Sequence, residues 1–191
     1  MGKFKFIETP IRDLYVIEPT VFGDSRGYFM ESYSKRDFFE AGLTMEFVQD
    51  NESKSKKGVL RGLHFQMKHT QGKLVRVVKG EVFDVAVDLR EGSPSFGQWH
   101  GVMLAEENKR QLYVPQGFAH GFLEVSDVAV FQYKCTDYYA PEYDGGIVRN
   151  DPDIGIKWPL EKVDEVVLSE KDNSQQSFKT FRRKEKPFIY N

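Results

Sequence analysis

Residues 74–89 read LVRVVKGEVFDVAVDL. Leu74 to Val78 is a run rich in β-formers, Lys79-Gly80 is a turn signal, and Val82 to Asp88 alternates. Val82, Asp84, Ala86 and Asp88 fall on one face of that second segment; Phe83, Val85 and Val87 fall on the other. Two such strands joined by a tight turn form an antiparallel pair. Further strands are predicted at Gly101–Leu104, Arg110–Val114, Gly121–Val125, Ala129–Lys134 and Glu165–Leu168. Their spacing, with Gly and Pro punctuation, predicts a mainly β, antiparallel sandwich or barrel with a few short helices. One helix is clear: Ser34 caps it, Asp37 sits at the capping-box spacing and Gly42 ends it. After about Tyr139 the chain is loop-rich, with turn clusters in PEYDGG and NDPDIG, and the tail FRRKEKPF reads as a charged surface segment. No repeat or linker interrupts residues 1–191, so one domain is expected.

The 191 residues are enough for a real core. With 27 basic and 29 acidic residues the net charge is -2, which argues against a nucleic-acid binder. The single cysteine, Cys135, excludes a disulfide framework and a multi-cysteine zinc site. No apolar run approaches the roughly 18 residues of a membrane span. The opening MGKFKFIETPIRD lacks the apolar core of a signal peptide, and Phe6 stands where a myristoylation signal has Ser or Thr. The expectation is a soluble, cytoplasmic protein with no membrane partner.

Residues 58–81, GVLRGLHFQMKHTQGKLVRVVKGE, place His64 and His69 among spaced cations, Arg61, Lys73 and Arg76. A metal site, an acid–base site and a solvated sheet face all fit that pattern. Residues 111–122, QLYVPQGFAHGF, contain Pro115, Gly117 and His120 in a P-x-G-x-x-H arrangement. It resembles the second motif of the cupin superfamily, which implies a small jelly-roll barrel. Metal-binding cupins pair that histidine with an H-x-H and a following Glu. Here the matching place reads His64-Phe65-Gln66, no Glu lies between Gln66 and Gly80, and Lys73 stands there instead. A transition metal needs three or four N, S or O ligands and is repelled by an ammonium. No metal is predicted.

Seven motifs, in order, resemble one family: FGDSRGYFMES, FVQDNESKS, GVLRGLHFQ, FDVAVDLREGSPSFGQW, LYVPQGFAHGF, FQYKCTDYYAPE and LSEKDN. Together they are similar to the dTDP-4-dehydrorhamnose 3,5-epimerases, and the resemblance covers roughly Phe4 to Asn173. The resemblance implies a cupin that uses no metal and no nucleotide cofactor. Such an enzyme inverts the two carbons flanking the ketone of a deoxythymidine-diphosphate sugar. The reaction needs a base with a pKa near ~7, a positive donor at the enolate oxygen and an acid on the opposite ring face.

The resemblance assigns these roles to His64 as base, Asp172 as its carboxylate partner, Lys73 at the ketone oxygen and Tyr133 as proton donor. It assigns substrate binding to Arg26, Phe29, Glu31, Gln49, Asp50, Asn51, Arg61, His120, Tyr138 and Asp144. Arginine forks suit the diphosphate, and Phe29 and Tyr138 suit the base. Taken alone, each residue has a plain structural reading. His64 fits a hydrogen-bonded buried histidine, Lys73 a strand-edge lysine, Tyr133 a core aromatic, and Asp172 a capping partner of Ser169. The family pattern EGGIRWNDP becomes DGGIVRNDP at residues 144–152, with a shorter acid and Val148-Arg149 in place of Arg-Trp. The resemblance also implies a homodimer sharing N-terminal strands, in which Arg26 or Glu31 serves the neighbouring subunit. Inversion at one carbon only, a 4-keto sugar isomerase and a non-catalytic nucleotide-sugar binder are the competing readings.

Overall fold

The structure, a computed structural model, describes residues 3–184 and 188–190. Thirteen strands are named in order: β1 Phe4–Glu8, β2 Tyr15–Pro19, β3 Phe22–Asp24, β4 Gly27–Phe29, β5 Gln49–Lys56, β6 Leu60–Gln66, β7 Lys73–Lys79, β8 Glu81–Asp88, β9 Trp99–Ala105, β10 Gln111–Val114, β11 Phe118–Glu124, β12 Val128–Cys135 and β13 Asp144–Gly146. Three short helices join them: α1 Lys35–Glu40, α2 Glu170–Asn173 and α3 Phe178–Lys184. One sheet runs β1-β2-β10-β7-β12-β5 and the other β13-β6-β11-β8-β9, with β3-β4 as a separate hairpin. Every pairing between named strands is antiparallel. This is the expected jelly-roll barrel.

The alternation in β8 sorts its residues as the sequence requires. Val82 and Ala86 enter the core between the sheets with Val75, Val77, Phe122 and Phe131. Val85 and Val87 face the opposite way, into a second cluster. Gly80 makes the turn before β8 with φ +77, and a Cβ there would lie 2.2 Å from the Val128 carbonyl oxygen. Only glycine fits both demands. Phe122 and Phe131 stack with centroids 4.2 Å apart and close the inner core. Cutting Phe131 to Ala costs about 3–5 kcal/mol.

Each outer face is covered as well. Phe38 of α1 packs with Ile17, Leu74 and Tyr113 on the six-stranded sheet. The Ser34 hydroxyl accepts from the Asp37 amide at 3.4 Å, and Gly42 follows α1 at φ +86, so the helix starts and stops where its sequence signals lie.

Two expectations are corrected. Glu165–Leu168 is not a strand: only Val167 bridges, to Val59. β13 takes the edge of β6 from His64 to Gln66 and Ile147 extends it to Leu63, while among the described residues Val167 bonds only to Gly58 and Leu60 at the start of the strand. The tail FRRKEKPF is not simply a charged surface. Phe181 and Phe188 are buried, and both rings meet Phe65 edge-on. Its Glu185, Lys186 and Pro187 lie outside the described residues.

Candidate active site

β6 carries His64 into the barrel directly opposite His120 of β11. Gly62 allows this approach, since a Cβ there would lie 2.6 Å from the His120 carbonyl oxygen. The His64 Nε2 meets Asp172 Oδ1 in a short hydrogen bond. Asp172 arrives on α2, whose cap fixes it. The Ser169 hydroxyl accepts from the Asp172 amide at 3.0 Å and donates to Asp172 Oδ2 at 2.7 Å. The Gly62 amide adds a long contact to Oδ1 at 3.4 Å. Asp172 is therefore both the capping partner of Ser169 and the carboxylate on the histidine. Burial alone raises its pKa, but hydrogen bonds from His64 and Ser169 outweigh this and hold it below the usual carboxylate value. With Nε2 engaged, Nδ1 is the ring nitrogen left to take a proton.

A narrow cavity beside His64 is lined by Gln66, Gln71, Lys73 and His120. Lys73 opens β7, and burial pushes its ammonium pKa down. Its Nζ lies 5.9 Å from the Tyr133 ring centroid and makes no hydrogen bond or ion pair among the described residues. An ammonium so placed is available to an oxygen of a ligand. Tyr133 on β12 is half-buried, and burial pushes its phenol upward, so it keeps its proton at neutral pH. His120 Nε2 lies 2.9 Å from both oxygens of the fully buried Asp84.

The assigned binding residues divide into three groups. Inside the barrel, Arg61 reaches the Ser55 hydroxyl at 3.3 Å, and Gln49 donates to Asn51 Oδ1 at 3.0 Å. At the rim, the Tyr139 hydroxyl donates to Asp144 Oδ2 at 3.1 Å, the same oxygen that Lys171 engages, and Tyr138 is 64% exposed. The third group stands apart. Asp50 turns outward to pair with Lys134 and lines a groove of about 370 Å³ on the outer sheet face. Arg26 pairs with Asp24 in the β3–β4 hairpin, Glu31 pairs with Lys3, and Phe29 is 66% exposed. Among the described residues, none of Arg26, Phe29 and Glu31 hydrogen-bonds to His64, Lys73, Tyr133 or Asp172.

Two contributors escape a reading of the sequence alone. Lys171 stands beside Asp172 yet serves Asp144 at the rim. Asp84 holds His120, and its signal was a carboxylate on the inward face of an alternating strand. Ser169, by contrast, holds Asp172 as its capping-box spacing predicts. Among the described residues no three His, Cys, Asp or Glu side chains gather as metal ligands. Gln66 and Lys73, which line the cavity beside His64, do not fit a metal either.

A family profile described as dTDP-4-dehydrorhamnose 3,5-epimerase matches residues 8–180. The chain is 58% identical over 174 residues to the protein of that name from Methanothermobacter thermautotrophicus, covering 91% of this chain and 94% of that one. Its fold overlays the Legionella pneumophila dTDP-6-deoxy-D-glucose-3,5-epimerase, a complex with dTDP-4-keto-L-rhamnose, with TM-score 0.94 and 51% identity over 98% of this chain and 99% of that one. A 3'-monoepimerase from Streptomyces bikiniensis, solved with dTDP-quinovose, matches at TM-score 0.86 and 32% identity over 93% and 89% of the two chains. The profile match, the identity across nearly the whole chain and the shared fold agree: the chain belongs to the dTDP-4-dehydrorhamnose 3,5-epimerase family.

Proposed function

We infer that this chain is an isomerase that epimerises carbons 3 and 5 of dTDP-4-dehydro-6-deoxy-D-glucose to give dTDP-4-dehydro-L-rhamnose. The observation that carries the reading is the His64–Asp172 hydrogen bond, with His64 and Lys73 lining one cavity and the Lys73 Nζ 5.9 Å from the Tyr133 ring centroid. His64 Nδ1 takes the proton from the carbon next to the ketone. The electron pair moves to the ketone oxygen, where the Lys73 ammonium meets the developing charge. Asp172 stabilises the imidazolium. Tyr133 delivers a proton to the opposite face, and solvent restores both groups. The cycle repeats at the second carbon with no net oxidation.

The finer parts of the reading rest on the same residues. Arg61, Gln49 and Asn51 receive the nucleotide or sugar inside the barrel, and Asp144 and Tyr138 receive it at the rim. The outward placement of Arg26, Phe29 and Glu31 supports a homodimer in which one subunit's hairpin completes its neighbour's site. No metal or other cofactor enters the cycle, so chelators leave the rate unchanged. Residues 1–191 act as one unit, and fractionation tests the expected cytoplasmic location.

Proton NMR of the substrate in heavy water tests the function. Deuterium at both carbons is expected. Label at one carbon alone makes the chain a single-site epimerase, and binding without label makes it a nucleotide-sugar binder.

A further inference from the structure

Gln66 is buried at the end of β6, and both N–H donors of its amide are used within the protein. Its Nε2 donates to the His69 carbonyl at 2.5 Å and to the Tyr138 carbonyl at 3.2 Å. Its Oε1 accepts from the Ala140 amide at 2.9 Å. One side chain thus ties the β6–β7 loop to the β12–β13 loop. Other ties between these loops lie at residues 136–137 and 143 of the second: Gln71 to the Asp137 carbonyl at 2.9 Å, His69 Nδ1 to the Asp137 carboxylate at 3.3 Å, Gly72 to Thr136 at 2.8 Å, and the Met67 amide to the Tyr143 carbonyl at 2.8 Å. Within residues 138–140 the Tyr139 amide donates to Gln49 Oε1 at 3.1 Å, the Tyr139 hydroxyl to Asp144 at 3.1 Å and the Tyr138 amide to Asp137 Oδ1 at 2.7 Å, and the Ala140 carbonyl accepts from the Tyr143 amide at 3.0 Å; Gln66 is the side chain that bonds the backbone at both 138 and 140. That segment carries the two exposed rim aromatics, Tyr138 and Tyr139.

We propose that Gln66 is a positioning residue for nucleotide binding: it fixes the height and pitch of the Tyr138–Tyr139 rim over the cavity and takes no part in proton transfer. An open loop pays ordering entropy on binding that a pinned loop does not, so the clamp acts on affinity. The assignment of the rim to the nucleotide rests on the function inferred above; the clamp itself does not.

The test compares the wild type with Gln66→Leu, which removes all three bonds. Gln66→Glu is the second variant; it keeps the Ala140 bond and turns an oxygen toward the two carbonyls. Amide hydrogen exchange over residues 136–141 is read without ligand, and Kd for dTDP, KM and kcat are read separately. Both variants are expected to speed exchange at Ala140 or its neighbours and to raise Kd and KM together by about tenfold. The kcat is expected to stay within about twofold. Unchanged exchange overturns the clamp. Faster exchange with unchanged Kd overturns the positioning role, as does a fall in kcat at constant KM. A wild type that does not bind dTDP sinks the functional reading instead, and the exchange data then still decide the clamp.

Discussion

His64 and His120 stand opposite one another in the β6–β11 register, and each is held by its own aspartate. The two pairs differ in access. The His64 side chain is 30% exposed and reached by one carboxylate oxygen, whereas His120 is 8% exposed and lies 2.9 Å from both oxygens of Asp84. One histidine is open to a reacting carbon; the other is locked as a fixed donor. His64→Asn is therefore expected to lower kcat by at least about 10²–10⁴ with dTDP binding intact. His120→Asn acts mainly on KM. Steady-state kinetics with both variants checks this, and the reverse pattern would exchange the two roles.

Asp172 is held below the usual carboxylate pKa: burial raises it, and the bonds from His64 and Ser169 more than reverse that. A depressed pKa in the fold gives stability that is present above the unfolded value of about 3.9 and is lost as pH falls through the folded value. Asp172→Asn should flatten that acid limb in denaturant titrations below about pH 4 while also cutting kcat at pH 7. An unchanged acid limb would mean that the carboxylate is not tied to its partners in solution.

Lys73 gives the opposite trade between activity and stability. Burial pushes its ammonium pKa down, so below that folded value the fold bears a charge it disfavours. The cost is relieved as pH rises and the folded state releases the proton first. Lys73→Met is expected to raise Tm at pH 7 by roughly 2–4 °C and to lower kcat about 10²–10³-fold. A lower Tm would show that the ammonium is satisfied in the free protein.

Glu124 sits four residues along β11 from His120, fully buried, with Oε2 lacking a hydrogen-bond partner among the described residues. Burial pushes its pKa up to about 7, against hydrogen bonds from Ser126 and the Ala129 amide. Between about pH 4.5 and 7 the folded chain keeps a proton that the unfolded chain releases, so stability falls as pH rises and the loss is complete above 7. The penalty is on the order of 3 kcal/mol. Glu124→Gln should remove this slope and be the more stable protein at pH 8 in urea titrations. Parallel pH profiles for the two proteins would refute the assignment.

The parts of this molecule that its sequence discloses are those where packing repeats. β8 alternates because one face meets the inner core and the other the cluster under the C-terminal segment. β5, QDNESKSK, discloses nothing of the kind. Its inward residues, Asn51, Ser53 and Ser55, are polar because that wall faces Arg61 and the site, and its outward lysines blunt a sheet edge. Strand patterning and functional polarity conflict there. α3 was hidden for a related reason: Phe178 and Phe181 are buried between charges that dominate the local composition. The His64–Asp172 contact spans 108 residues, so no local pattern contains it; only the order of the family motifs brought the two together.

Tyr133 and His64 are assigned opposite ring faces, and substitution should separate their steps. Tyr133→Phe leaves base and enolate site intact. Proton abstraction continues, and return of the proton to the same carbon face replaces inversion. In heavy water the variant should deuterate recovered substrate while product formation falls by about 10²–10⁴. Loss of both label and product together would assign Tyr133 to binding rather than to proton donation.

Arg26 permits a decisive test of where the hairpin works. Among the described residues of its own subunit the guanidinium pairs only with Asp24, and its side chain is 88% exposed. If the hairpin completes the neighbour's site, Arg26→Ala and His64→Asn damage different halves of one composite site. Each variant alone is then poorly active. Mixed and allowed to exchange subunits, half of the dimers are hybrids, and each hybrid holds one site with an intact His64 and an intact Arg26 from its partner. Activity should return to about a quarter of the wild-type rate. An Arg26 that acts on its own barrel gives no such recovery, because every site then lacks either the base or the arginine. Light scattering on the same samples separates the cases, since a monomer at working concentration rules out the shared site whatever the kinetics show.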